Sequence, residues 1–149
     1  MLNRLSKADV DAVLREGSAH VLHRDYGTRS TCVLKSAGAY RYAADQRTEV
    51  LCCGYAVDDS PVQLWTPGDP VPPEFIEAAH NPAWIVVAHN DQFETAIEQL
   101  VLAPRCGWPV IPLERHRCTM AMSLACGLPA RLSSAADALE LSKIVPVRS

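Results

Sequence analysis

Two acids stand where this chain could do chemistry. Asp25 closes the short apolar segment Ala19-His20-Val21-Leu22 and opens Asp25-Tyr26-Gly27-Thr28-Arg29; Glu94 lies just past His89-Asn90, where the apolar run Trp84-Ile85-Val86-Val87-Ala88 ends. A carboxylate at the end of a buried strand is costly unless it is solvated, paired or bound to a metal. Asp25 is therefore the leading candidate ligand, and its ordinary alternative is a turn acid. Glu94 carries a weaker signal, because the helix dipole alone favours an acid in a first turn and leaves a solvent-facing residue as the plain alternative. Asn90 is a preferred N-cap and shares a helix face with Glu94. His89 serves either a backbone partner or a bound strand, and Phe93 reads as core. Thr28 and Arg29, beside Asp25, are placed to meet a phosphate. Tyr40 and Tyr42 have the spacing of either a base-stacking platform or ordinary packing. Ser30, Thr31, His20 and Cys118 form no recognisable nucleophile and base order, which argues against hydrolysis through a covalent intermediate.

The elements that must position these groups follow from periodicity and punctuation. Ala19 to Asp25 reads as a strand, a short helical turn runs from Cys32 to Ala37, and Glu49 to Val57 is a longer strand turned by Asp58-Asp59-Ser60-Pro61. Val62 to Trp65 returns as its hairpin partner. Pro72-Pro73 opens a helix through Glu74 to His80, Asn81-Pro82 breaks it, and Trp84 to Ala88 supplies a buried strand expected to lie parallel to the first. A helix from Asp91 to Leu102 carries Phe93, Ala96, Ile97 and Leu100 on one face and stops at Pro104 and Gly107. Trp108 to Pro112 reads as loop, followed by short helices at Cys118 to Cys126 and Ser133 to Leu141. Upstream, Leu5 to Gly17 has the capped, amphipathic signature of a further helix. The domain plan is thus an extension over 1–18, a domain over 19–141 and a tail over 142–149.

The chain has 149 residues, room for one core, and a formal net charge of −3, which provides no electrostatic footprint for duplex DNA. Basic residues gather locally at Arg24, Arg29, Lys35, Arg41 and Arg47, and at Arg115, His116 and Arg117, as a candidate surface patch for a short strand. The N-terminus lacks an apolar signal region and no segment is long enough to span a bilayer, so a cytoplasmic protein without membrane contact is expected. Six cysteines in such a chain read as buried thiols, and the spacing of Cys106, His116, Cys118 and Cys126 lacks a zinc knuckle.

Taken together, Gly38-Ala39-Tyr40-Arg41-Tyr42-Ala43, Val62-Gln63-Leu64-Trp65-Thr66-Pro67-Gly68, Ala88-His89-Asn90 with Gln92-Phe93-Glu94, and Arg117-Cys118-Thr119-Met120 resemble the 3′–5′ exonuclease domain of phage-type, A-family DNA polymerases. That domain belongs to the DnaQ-like (DEDD) group of the ribonuclease H-like superfamily. The resemblance covers roughly Val21 to Leu141. It implies an α/β fold, a mixed sheet of three antiparallel strands plus parallel strands flanked by helices, with the Cys52 strand central. It implies Asp25 and Glu94 as catalytic, metal-binding acids for Mg2+ or Mn2+, and Tyr26, Thr28, Arg29, His89, Asn90 and Phe93 as contacts to the 3′ end of single-stranded DNA. The family's first motif is Asp-Phe-Glu-Thr; here Gly27 replaces the second acid, whose side chain would leave the same strand face as Asp25. A third-motif acid would fall beyond Leu141, and Ser142 to Ser149 contain none. The expectation is a nucleic-acid-binding domain impaired in catalysis. Its alternative is a non-catalytic structural or protein-interaction module, with a homodimer or a polymerase as partner.

Overall fold

The computed structural model describes residues 20–141. The helix read at Leu5–Gly17 and the tail after Leu141 lie outside them. A single five-stranded sheet runs in the order β3-β2-β1-β4-β5, with β1 His20–Arg29, β2 Glu49–Val57, β3 Gln63–Trp65, β4 Trp84–Ala88 and β5 His116–Cys118. The first three strands are antiparallel; β4 pairs parallel with β1, Leu22 opposite Val86, and β5 pairs parallel with β4. This is the expected mixed sheet, with one correction: the central strand is β1, and the Cys52 strand is its neighbour. The strand also runs on past Asp25, because β2 pairs along it from Leu22 opposite Val57 to Arg29 opposite Glu49. An irregularity between Gly27 and Thr28 leaves Leu51 as the extra residue of a bulge, which locally bends the pair.

Burial on both sheet faces explains the patterns. All five residues of β4 are buried, as a parallel strand covered on both sides requires. On one face Leu22, Tyr26, Cys53, Tyr55, Trp65 and Val86 meet Phe75, Ile97, Leu102 and Trp108 from the helices and loops. On the other, Val21, Ile85 and Val87 pack with Met122. Trp108, in a segment that sequence leaves as loop, is a centre of the larger core: its ring lies 4.5 Å from Phe75, 4.9 Å from Trp65 and 5.9 Å from Tyr26.

The helices are α1 Leu34–Ala37, α2 Ala39–Ala44, α3 Pro73–His80, α4 Asp91–Ile97, α5 Ala103–Cys106, α6 Thr119–Ala125 and α7 Leu132–Ala138. Between α4 and α5 the chain winds as a π turn over Glu98–Leu102, where Ala103 N–H donates to the Glu98 carbonyl. The expected stop at Pro104 therefore does not occur. Pro104, having no N–H to give, takes an early position of the next turn, and the helix ends at Gly107 in the left-handed region at φ 68°. The three-residue β5, too short to leave a pattern, was not anticipated; the helix expected from Cys118 begins one residue later.

Candidate active site

Strand alternation splits β1 into two jobs. Leu22, Arg24 and Tyr26 are buried against the helices, while Asp25 emerges exposed on the opposite face. Pairing of β4 with β1 stops at His23 opposite Val87, so the edge of β1 is open at Asp25, and α4, entered directly from β4, brings Glu94 to it. The two carboxyl groups are hydrogen-bonded to each other. Glu94 is buried, not solvent-facing, and its Oε2 has no partner among the described residues. Burial first, and then the neighbouring Asp25 carboxylate, push the Glu94 carboxyl up to about 9 from its ordinary 4.5, so the pair holds a proton at neutral pH.

Beneath this pair lies a buried ionic cluster. The Arg24 side chain is fully enclosed; its Nε donates to Glu98 Oε1, its Nη2 to Glu98 Oε2 at 3.3 Å, and its Nη1 to Asp91 Oδ1 at 2.9 Å. Tyr26 Oη–H donates to Glu98 Oε1 at 2.6 Å. His116 Nδ1 lies 3.0 Å from Asp91 Oδ2, and its Nε2–H donates to the Ile111 carbonyl at 2.9 Å. Burial alone would raise the Asp91 carboxyl, yet the hydrogen bond from His116 and the Arg24 charge outweigh it and hold it below the ordinary value. Sequence reasoning missed Arg24, Asp91, Glu98 and His116. A signal was present: an arginine at a core position of an alternating strand, and acids at 91, 94 and 98, which share one helix face.

The other expected contacts are less concentrated. Tyr26 is buried and committed to Glu98, which removes it from any nucleic-acid surface. Thr28 and Tyr42 share a 2.9 Å hydroxyl hydrogen bond, and the Phe93 ring packs 5.9 Å from that of Tyr42. Arg29 is exposed and paired with Glu49 at 2.6 Å. His89 Nε2–H donates to the Ala130 carbonyl at 2.6 Å, and its Nδ1 shares a 2.9 Å hydrogen bond with Thr119, tying the chain around α6 and α7 to the end of β4. Asn90 does not cap α4 with its side chain; it turns the chain in the left-handed region at φ 79°, which asparagine tolerates. The expected basic patch dissolves in part. Arg24 is inside, and Arg115 is buried, donating to the carbonyls of Ala79 at 2.8 Å and Asn81 at 2.7 Å where α3 ends. The six cysteines are free thiols, but only Cys53 is buried.

Beside Asp25 opens a cavity of about 560 Å³, lined by His23, Gly54, Val62, Val87, His89 and Leu132. The acids fit one divalent cation: the orphaned Glu94 oxygen and Asp25 lie together, and an ion there would displace their shared proton. On the Gly27 side the strand offers no carboxylate for a second ion. A Cβ at residue 27 would lie 2.8 Å from Cys52 Sγ, so the thiol fills the place from which another carboxylate would project. Among the described residues, no three His, Cys, Asp or Glu side chains are grouped to hold a metal. Gly27→Glu is therefore expected to destabilise the chain by ~1–3 kcal/mol through overpacking, and added Cys52→Ala to recover most of that loss. Urea denaturation of both variants measures it; a Gly27→Glu chain as stable as the parent would show that Cys52 swings away freely.

No family model matches the chain. A DNA polymerase of Bacillus phage SP02 is 33% identical over 120 residues, covering 79% of this chain and 18% of the polymerase. Among solved structures, Brucella melitensis NrnC superimposes with a TM-score of 0.55 over 91% of this chain and 60% of NrnC, at 17% identity. NrnC with bound Mg2+ gives 0.54 over 85% of this chain and 57% of NrnC, at 16% identity. NrnC bound to pGG gives 0.55, over 86% of this chain and 56% of NrnC, at 15% identity. At these identities the structural likeness establishes the fold, and the chain spans less than two thirds of each relative.

Proposed function

We propose that this chain is a DnaQ-like, ribonuclease H-like 3′–5′ exonuclease-type domain that binds the end of a nucleic-acid strand and is impaired in catalysis, a reading supported by the phage polymerase likeness and the NrnC-like fold. The observation that carries this reading is the site itself: Asp25 and Glu94 meet at the open edge of β1, while Cys52 closes the position beside Gly27. A divalent ion, when bound by Asp25 and Glu94, would supply Lewis acidity toward a phosphate. The chain's own acids hold a proton between them and must release it to receive a cation, which weakens binding at neutral pH. The cavity beside Asp25 is mostly apolar, with His23, His89 and Thr119 at its polar points, a lining suited to a base or sugar next to a scissile phosphate. The Mg2+ and pGG seen with NrnC support Mg2+ or Mn2+ and a short 3′ end as the ligands to try first.

The test is incubation of the purified chain with end-labelled single-stranded DNA and either metal, beside an Asp25→Ala control. Digestion is expected to be absent or very slow, because in-line displacement is served best when both the attacking and leaving oxygens are clamped. Robust digestion that vanishes in the control would overturn the impaired reading. A second reading, a protein-interaction module on the same fold, is favoured by Val62, Leu64 and Leu132, which like Val33 and Leu113 are each more than 60% exposed. Light scattering across a concentration series would support it by showing a dimer, which single-site Val62→Lys and Leu64→Lys changes should dissociate. The further apolar surfaces expected at Val10, Val13 and Leu14 and at residues 144–147 lie outside the described residues. Among the described residues, no helix is long and apolar enough to cross a membrane.

A further inference from the structure

We propose that Arg24 is a positioning residue: its enclosed guanidinium fixes the rotational setting of the α4 helix and its π turn so that Glu94 meets Asp25. The inference rests on the reading of Asp25 and Glu94 as the acids of the site. Three acids leave one face of this helical segment at 91, 94 and 98. The outer two are held by one guanidinium, Glu98 through both its oxygens and Asp91 through Oδ1. The middle acid, Glu94, feels the Arg24 charge but accepts no hydrogen bond from it and keeps an unpartnered oxygen. A helix gripped at two points a turn apart on each side of Glu94 cannot rotate or slide without breaking a charged, desolvated contact, so the remaining acid has a fixed address.

The other end of the grip is equally informative. Arg24 immediately precedes Asp25, and successive strand residues point to opposite faces. One backbone step therefore links the anchor inside to the acid outside. The fork matters as well as the charge: a planar guanidinium can face both Glu98 oxygens and still reach Asp91, whereas an ammonium on a flexible stem cannot hold that planar two-acid arrangement. Tyr26 Oη–H, two residues along the same strand, also supports Glu98, and His116 supports Asp91 from β5, so each outer acid has a second partner.

The experiment uses the whole chain at one pH and reads side-chain carboxyl ¹³C resonances. In the parent, Glu94→Gln should move the Asp25 carboxyl signal. In Arg24→Lys, which keeps the charge but not the fork, the same change should leave that signal within its linewidth. Glu98→Gln, which keeps the shape, is the second background and should also reduce the displacement. A displacement of parental size in either folded background, or none in the parent, overturns the positioning role. In parallel, Mn2+ binding followed by its electron paramagnetic resonance signal should weaken about tenfold in Arg24→Lys, the scale on which partners of metal ligands act. Absence of Mn2+ binding in the parent, with the carboxyl coupling as expected, would support the positioning role and defeat the metal-binding reading of the acids. Unchanged Mn2+ affinity in Arg24→Lys would count against the positioning role.

Discussion

Arg24→Met should cost about 3–5 kcal/mol of folding stability, the range for removing one partner of a buried ion pair. Methionine fills much of the space, so the loss is electrostatic: Glu98 and Asp91, both buried, would lose the guanidinium that pairs with them. Arg24 itself is held firmly charged, since burial opposes the charge but Glu98 outweighs it. The three-residue change Arg24→Met, Glu98→Leu and Asp91→Asn should recover part of the loss, because it removes the three buried charges together, while the Tyr26 hydroxyl loses its Glu98 acceptor. Urea denaturation of the two chains decides the matter. A loss below about 1 kcal/mol in the single variant would place the cluster with weak surface pairs instead.

The second large effect concerns Glu94 and pH. Its carboxyl is raised to about 9 in the folded chain from an ordinary 4.5, chiefly by burial and then by Asp25. Between those values the folded chain keeps a proton that the unfolded chain has released. Stability from this group is accordingly complete below pH 4.5, falls as pH rises through the interval, and levels off above 9. Glu94→Gln keeps the neutral shape at every pH and removes that slope. At pH 8 the variant should be more stable than the parent by ~2–4 kcal/mol, with the difference vanishing near pH 4. Thermal or urea unfolding at both pH values tests this; equal stability at pH 8 would mean that Glu94 is ionised in the folded chain. A gain on removing an acid is the mark of a group retained for something other than folding.

These two residues also show how far sequence reading reached. The sheet was legible because a wholly buried parallel strand, Trp84–Ala88, and the hairpin of β2 and β3 leave strong local patterns. Asp25 and Glu94 drew attention because in the sequence each closes or follows such a pattern, although β1 itself runs on to Arg29. Their surroundings were not. Arg24 and Glu98 are 74 residues apart, and no short-range rule pairs an arginine on a strand with an acid on a later helix. Glu94 read as an exposed first-turn acid because sequence carries no account of what lies over a helix face. Cys52 gave no sign of filling the space beside Gly27, since that contact depends on the cross-strand register and the bulge that sets it.

The π turn at Glu98–Leu102 has one more consequence, for how this chain is compared with others. A turn closed by a bond to the fifth preceding residue contains one more residue than a regular α-turn, roughly 100° of winding absorbed without lengthening the path across the core. A relative whose helix is regular throughout would match this chain on both sides of residue 98 only if one position were skipped. Carried through ungapped, such a comparison sets Val101, Leu102 and every later core position against a residue from the wrong side of the helix.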